Sequence, residues 1–215
     1  MEKRYESDMT RKEKRQNELK KLKSMTFKQK VGYIWEYYKG VFAGIIIACV
    51  IISIGVQMFQ NSQLKSLLSI AVVDSNYNHD EQVEALQNDF LAYAGTGDRH
   101  EVVDVDTSLL SGDDYNAVVK MTVVMGAGTA DMMFCGEETY KKYKQQEAFL
   151  SWKEILGDDY SKYEEYMTDD GRLDLEKCPN WEKYNMVYYS PVYAVVMSSS
   201  KNLENCIKFL EMMVQ

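Results

Sequence analysis

From Val41 to Phe59 the chain carries no charged side chain, and eleven of these 19 residues are Ile, Val or Phe. A helix of that length rises about 28 Å, close to the roughly 30 Å of a bilayer's hydrocarbon layer. Its apolar side chains favour insertion by about 3–6 kcal/mol before Gly, Ser53 and Gln57 are set against them. A core helix would keep one polar face, and this run has none. Tyr33, Trp35, Tyr37 and Tyr38 crowd its N-terminal edge beside Lys28, Lys30 and Lys39, whereas the flank after Phe59 offers only Lys65 before Asp74. Aromatic residues gather at bilayer interfaces and cations stay inside, so the pattern predicts a single membrane pass with a cytoplasmic N-terminus and residues 60–215 outside. Trp35, Tyr37, Tyr38 and Lys39 are the expected interface residues. Two rivals stand beside the uncleaved anchor. A secretory signal has a short basic lead and an apolar region of about 7–15 residues, but here the lead is 40 residues long. The lipobox-like "IIAC" ending at Cys49 lies mid-run, followed by "VIISIGV". Gly40, Gly44 and Ala48 recur at four-residue spacing, which puts small residues on one helix face and makes a candidate homodimer contact in the membrane.

The charge divides at the same place. Residues 1–39 hold 12 Lys/Arg against 6 Asp/Glu; residues 60–215 hold 13 against 27. A basic arm beside an apolar run fits a membrane surface more simply than nucleic acid, so no nucleic-acid partner is expected. Residues 1–25 alternate in charge with few apolar side chains. They read as a frayed helix opening near Thr10, with Glu13 completing a capping box, or as a disordered arm. In 26–40, Phe27, Val31, Ile34, Trp35 and Tyr38 share one helical stripe that Lys28, Lys30 and Lys39 largely avoid. That pattern predicts an amphipathic helix on the anionic headgroup layer or against a partner protein. The chain thus divides into an arm (1–25), a juxtamembrane helix (26–40), an anchor (41–59) and an outer domain (60–215).

In the outer domain, strand and helix periods alternate. "LLSIAVVD" (67–74), "EVVDVD" (101–106) and "ADMMFC" (130–135) read as strands. Residues 80–94 set Val83, Leu86, Phe90 and Ala94 on one helical face, and 137–146 is a second helix. Residues 111–128 are ambiguous: the valines suit a strand, while the acidic start and closing glycines favour a helix. This β-α-β-α-β-α order predicts an α/β fold, three-layer, with a mostly parallel sheet flanked by helices. Beyond it, 149–156 and 158–167 read as short helices, and 184–190 and 192–199 as strands around Pro191. From Lys201, Leu203, Cys206, Ile207, Leu210 and Val214 share a helical face.

Signatures of catalysis and metal binding are sparse. His79 and His100 are the only histidines, and neither lies within four residues of the other or of a Cys, so zinc spacing is absent. "GAGT" (126–129) lacks the Lys and third Gly of a phosphate loop and reads as a helix C-cap. With Gly171 at the sixth position of a calcium loop, Tyr166 and Lys177 would fall on ligand positions, so a tight turn is the better reading. No enzyme activity, cofactor or metal is expected. Cys135 and Cys206 read as core hydrophobes, with a disulfide among Cys135, Cys178 and Cys206 left open. Trp181, Tyr184, Tyr188, Tyr189 and Tyr193 could stack on a sugar or peptide, or bridge core and water.

The succession "SIAVVD", "VVKMTVVMGAGTADMMFCGEETYKKYKQQEAFLSWKEIL" and "VYAVVMSSSKNLENCIKFLEMM" resembles the extracytoplasmic solute-binding proteins of bacterial ABC transporters. The head "MTFKQKVGYIWEYYKGVFAGIII" is similar to that of single-pass membrane proteins of Clostridia-type bacteria. Complete solute-binding proteins have two lobes; 60–215 has room for one, so the resemblance implies a single lobe on a membrane anchor. In open parallel sheets ligands gather at the carboxyl ends of the strands. The expected ligand-binding positions are therefore Asp74, Ser75 and Asn76, then Thr107 and Ser108, then Gly136 and Glu137. The rival reading has Asp74, Ser75 and Thr107 simply capping turns. The expected function is a membrane-anchored binding or interaction module for an open ligand, partnered by the bilayer and by another protein or membrane complex. The alternative is a structural or signalling subunit working through anchor and arm.

Overall fold

The computed structural model describes residues 10–76 and 78–215, and the side chains of Glu18, Lys21, Leu22, Lys30, Tyr33, Ile34, Glu36 and Tyr37 lie outside the description. The chain divides into two compact units, Met1–Ser62 and Gln63–Gln215.

The first unit is two helices. In α1 (Arg11–Ser24) the expected capping box is present: Glu13 accepts from the Thr10 amide and hydroxyl, both at 2.9 Å. The juxtamembrane and anchor segments form one unbroken helix, α2 (Phe27–Asn61). It opens on a second box, Gln29 Oε1 accepting from the Thr26 amide at 3.1 Å and hydroxyl at 3.0 Å. No proline or paired glycines interrupt it, so nothing forces a break at residue 40. Within it, Tyr38–Asn61 is long and apolar enough to cross a membrane, and none of that span is buried.

The second unit is a mixed α/β domain built on a six-stranded sheet ordered β2-β1-β3-β6-β4, with β5 also pairing β6. β1 (Lys65–Val73) lies parallel to β2 (Glu101–Leu109) and to β3 (Met132–Cys135). The remaining pairings are antiparallel: β6 (Tyr193–Met197) with β3, and β4 (Phe149–Leu150) and β5 (Leu173–Asp174) with successive stretches of β6. The parallel half arises from the two crossovers, through α3 (Asp80–Ala94) and α4 (Tyr115–Ala127). In the antiparallel half β6 lies within the strand read over 192–199, whereas β4 and β5, two residues each, gave no local signal.

Both faces of the sheet are buried. Leu68, Ile70 and Val72 of β1 and Met132 and Phe134 of β3 join one cluster, with Leu86 and Phe90 of α3, Trp181 and Tyr184 of α7 (Trp181–Tyr184), and Phe209 and Leu210 of α8 (Leu203–Val214). The alternate residues, Ala71, Val73, Met133 and Cys135, join a second cluster with Met121 and Val124 of α4 and Tyr140 and Tyr143 of α5 (Glu137–Lys144). Period-two alternation thus sends successive side chains into two cores, which is why the strands read as continuous apolar runs.

Three local expectations differ. Phe149 and Leu150, the first residues of the stretch 149–156 read as a helix, form β4, and the helix begins at Trp152. Residues 158–167 form 3-10 turns after α6 (Trp152–Leu156), not an α-helix. Residues 184–190 are not a strand. The stretch leaves α7, Asn185 Oδ1 accepts from the Val187 amide at 3.2 Å, and only Val187 makes a bridge, to Ser75. An Asx turn takes up the chain there before a ladder can form.

Candidate functional site

The order β2-β1-β3 means that one crossover leaves β1 to one side and the next passes to the other. The carboxyl ends of β1 and β3 therefore flank a topological switch point. A cleft of about 280 Å³ lies there, lined by Asp74, Ser111, Gly136–Thr139 and Tyr189–Pro191.

Each wall has a local cause. Asp74 ends β1 with φ 52°, a left-handed conformation that Asp tolerates better than most residues, and its Oδ1 accepts from the Ser111 amide at 3.0 Å. Gly136 is the N-cap of α5; a Cβ there would approach the Tyr189 ring to 3.2 Å, so the ring lies close against the glycine. The Tyr189 hydroxyl donates to the Phe134 carbonyl at 3.3 Å, and burial raises its pKa.

Glu137 is tied down from behind. Arg172, only 11 % exposed, meets it at 2.5 Å and Asp170 at 2.7 Å, while Lys141 meets Glu137 at 3.0 Å. The guanidinium sits between two rings, 4.3 Å from the centre of Tyr140 and 4.0 Å from that of Tyr193. Hydrogen bonds from Arg172 and then Lys141 hold the Glu137 carboxyl down at about 2. Asp170, although burial works against it, is held at about 2 by Thr168, Arg172 and Lys144.

Of the positions expected from sequence, the cleft brings together Asp74, Gly136 and Glu137. The others are engaged elsewhere. Ser75 Oγ donates to the Thr107 carbonyl at 2.7 Å, Asn76 N donates to the Met186 carbonyl at 2.8 Å, and Thr107 Oγ1 lies 2.8 Å from His79 Nε2. The Ser108 carbonyl accepts from Lys120 at 3.2 Å. The Ser75 and His79 bonds tie the β1–α3 loop to β2, the Asn76 bond ties it to the stretch after α7, and the Lys120 bond ties the end of β2 to α4. Sequence reasoning missed Ser111, Glu138, Thr139, Ser190 and Pro191, and named Tyr189 only within the aromatic group, apart from the strand ends. Glu138 and Thr139 were within reach, being the next residues of the same helix turn. The far wall comes from about 50 residues further along the chain, and nothing local joins it to the strand ends.

Among the aromatic residues grouped from sequence, Trp181, Tyr184 and Tyr193 are buried and Tyr188 is exposed. Cys135, Cys178 and Cys206 are free and buried, and burial pushes each thiol up to about 12. Thiols so protonated make poor nucleophiles. Among the described residues no cluster of His, Cys, Asp and Glu could hold a metal ion. In the first unit, Trp35, Tyr38, Lys39, Gly40, Gly44 and Ala48 are exposed on α2, while the Tyr37 side chain lies outside the described residues. No family, curated protein or solved structure matches the chain.

Proposed function

We propose that the chain is a single-pass membrane protein whose Gln63–Gln215 domain works outside the cytoplasm as a binding module, without catalysing a reaction. The observation that carries this reading is the span Tyr38–Asn61, wholly unburied and apolar, preceding a compact unit along the chain. Water would not tolerate such a surface on an isolated helix; a bilayer would. Lys28 and Lys30 before the span and Lys39 at its head, against Lys65 after it, support an inward N-terminus. Two apolar clusters, each shared between sheet and helices, support a three-layer lobe like one lobe of an extracytoplasmic solute-binding protein. The switch-point cleft is where such a lobe would meet a ligand or a partner protein, and Gly40, Gly44 and Ala48 could pair two anchors.

Protease added to intact protoplasts should digest 63–215 and spare the arm; protection of the domain would sink the topology. A photo-crosslinking residue in place of Ser111 should capture a ligand or protein that the same residue at exposed Lys153, away from the cleft, does not. Equal capture at both positions would sink the site.

A second reading, a membrane-complex subunit working through its arm, is favoured by α1. That helix carries seven Lys/Arg against two Glu and no apolar stripe, so a charged surface is its natural contact. Deleting residues 1–39 should leave cleft crosslinking intact if the domain binds, and abolish cellular function if the arm does.

A further inference from the structure

We propose that the outer domain takes a cationic amphipathic helix of a partner protein, laid beside α4 over the open face of β2. This surface shares no lining residue with the switch-point cleft, so it stands or falls apart from that site.

The first observation is where the domain leaves apolar side chains in water. Among the described residues of Gln63–Gln215, eight large apolar side chains are exposed, and five of them lie on one stretch: Leu110, Tyr115, Val118, Val119 and Val123. Single exposed apolar residues are ordinary, whereas a group of them marks a contact surface. Tyr115 is 81 % exposed and Val123 56 %. Valine is a weaker helix former than Ala, Glu or Lys, so solvent-facing valines do nothing for α4 itself.

The second observation is an unfilled place in the helix layer. One side of β2 is closed, because Val103 and Val105 pack into the first cluster with α3. On the other side, period-two alternation presents Asp104, Asp106 and Ser108, all exposed. The helices of that side, α4 and α5, cover β1, β3 and β6, and of β2 only Leu109 joins their cluster. Lys120 shows which flank of α4 looks toward β2, its Nζ meeting the Ser108 carbonyl at 3.2 Å and Asp106 at 3.7 Å. Val123 and Ala127, three and seven residues on, share that flank and are exposed, and Val119 lies one turn before Val123. A cleft of about 190 Å³ lies between α4 and the strands, its lining including Asp104, Asp106, Val124 and Thr129. Helices pack about 8–10 Å apart, so one laid beside α4 would rest on β2 and bury this flank.

Charge decides which helix fits. Asp104 forms no ion pair among the described residues, and Asp106 shares Lys120 with the Ser108 carbonyl. The floor is anionic and the wall apolar, so the complement is an apolar stripe bordered by Lys or Arg. Among the described residues a second copy offers no such helix outside the cytoplasm. α5 carries Lys141, Lys142 and Lys144, but its Tyr140 and Tyr143 are buried in its own domain. The other Lys-rich helices, α1 and the head of α2, are cytoplasmic in the topology proposed above. The occupant is therefore another protein.

The test puts a photo-crosslinking residue in place of Val123 in the full chain, held in phosphatidylcholine nanodiscs, and titrates three synthetic peptides as long as α4. One has Leu at alternating three- and four-residue spacing with Lys elsewhere. The second has Glu for Lys, and the third has the Leu/Lys order scrambled to remove the stripe. The striped Lys peptide should half-saturate crosslinking at a concentration about tenfold below either control. Val119→Ser should raise that concentration about tenfold, as loss of an apolar contact does. Asp104→Asn should raise it about twofold to fivefold, as loss of an exposed charge pair does. Equal capture of the Glu peptide or of the scrambled one would overturn the proposal. So would absence of capture, a crosslinked dimer of the chain in place of the peptide adduct, or both variants behaving like the parent.

Discussion

At the scale of single residues, Arg172 organises the domain more than any other charge. Its side chain reaches Glu137 on α5 and Asp170 in the turn before β5, and lies between the rings of Tyr140 and Tyr193. Arg172→Ala would leave two carboxylates beside a buried wall and empty a slot between two rings. Removing one member of a buried pair costs about 3–5 kcal/mol, but Glu137 and Asp170 are each about a third open to water. A loss of about 2–3 kcal/mol is therefore expected in chemical denaturation followed by tryptophan fluorescence. Arg172→Lys should recover less than half, because an ammonium can neither fork between two carboxylates nor stack between rings. The pH dependence follows from the same contacts. Glu137 is lowered from 4.5 to about 2 and Asp170 from 3.8 to about 2. Depressed carboxyls contribute stability that is complete above their unfolded values and is lost as pH falls through the folded ones. The parent should lose stability between about pH 4.5 and pH 2, and Arg172→Ala should flatten that loss. An unchanged acid limb in the variant would show that other carboxylates govern it.

At the scale of elements, the sequence was most legible where periodicity and chain punctuation agreed. The 3.6-residue pattern over 80–94 coincides with α3 because a single apolar face, carrying Leu86 and Phe90, meets the sheet. The valines of 111–128 left strand and helix open, and end groups decided between them. Asp114 accepts from the amides of Asn116 at 2.8 Å and Ala117 at 3.4 Å, and Gly128 closes α4 in the left-handed conformation at φ 62°. The valines are ambiguous for a physical reason: Val118, Val119 and Val123 are exposed, so α4 is apolar on its outer side too and shows no clean stripe. The cleft was half legible. Asp74, Gly136 and Glu137 follow from strand ends, whereas Tyr189–Pro191 reaches it through tertiary folding, from a stretch whose alternating valine and tyrosines imitate a strand. If end groups hold α4, Asp114→Ala should destabilise the domain by about 1 kcal/mol, and Asp114→Asn, which keeps the acceptor, by only a few tenths. Equal losses in thermal melts of the two variants would show that the charge of Asp114, not its capping oxygen, is what α4 needs.

At the scale of the whole molecule, the question is whether the domain depends on the anchor. A domain folds alone when its own elements close its core. Here Leu68, Ile70 and Val72 are covered by α3 and α8, and Ala71, Val73 and Met133 by α4 and α5, all elements of the same unit. The unit of Gln63–Gln215 is also of ordinary single-domain length. Hydrogen bonds close its open end: Lys65 N donates to the His100 carbonyl at 2.8 Å, and Lys65 Nζ meets Asp98 at 3.0 Å, so β1 is fastened at its first residue. A chain beginning at Gln63 keeps all of these contacts. It should be soluble, owing to its excess of acidic residues, and should melt in one cooperative transition at the temperature of the full chain's domain, within a few degrees. The exposed face of α4, with Tyr115 81 % exposed, is the surface most able to spoil this result by drawing copies together. A concentration series separates the two effects: self-association through α4 would raise the midpoint with concentration and leave the transition cooperative. A broad transition at every concentration, sharpening only when another chain is added, would show that Gln63–Gln215 is part of a shared fold and that its two cores are not sufficient.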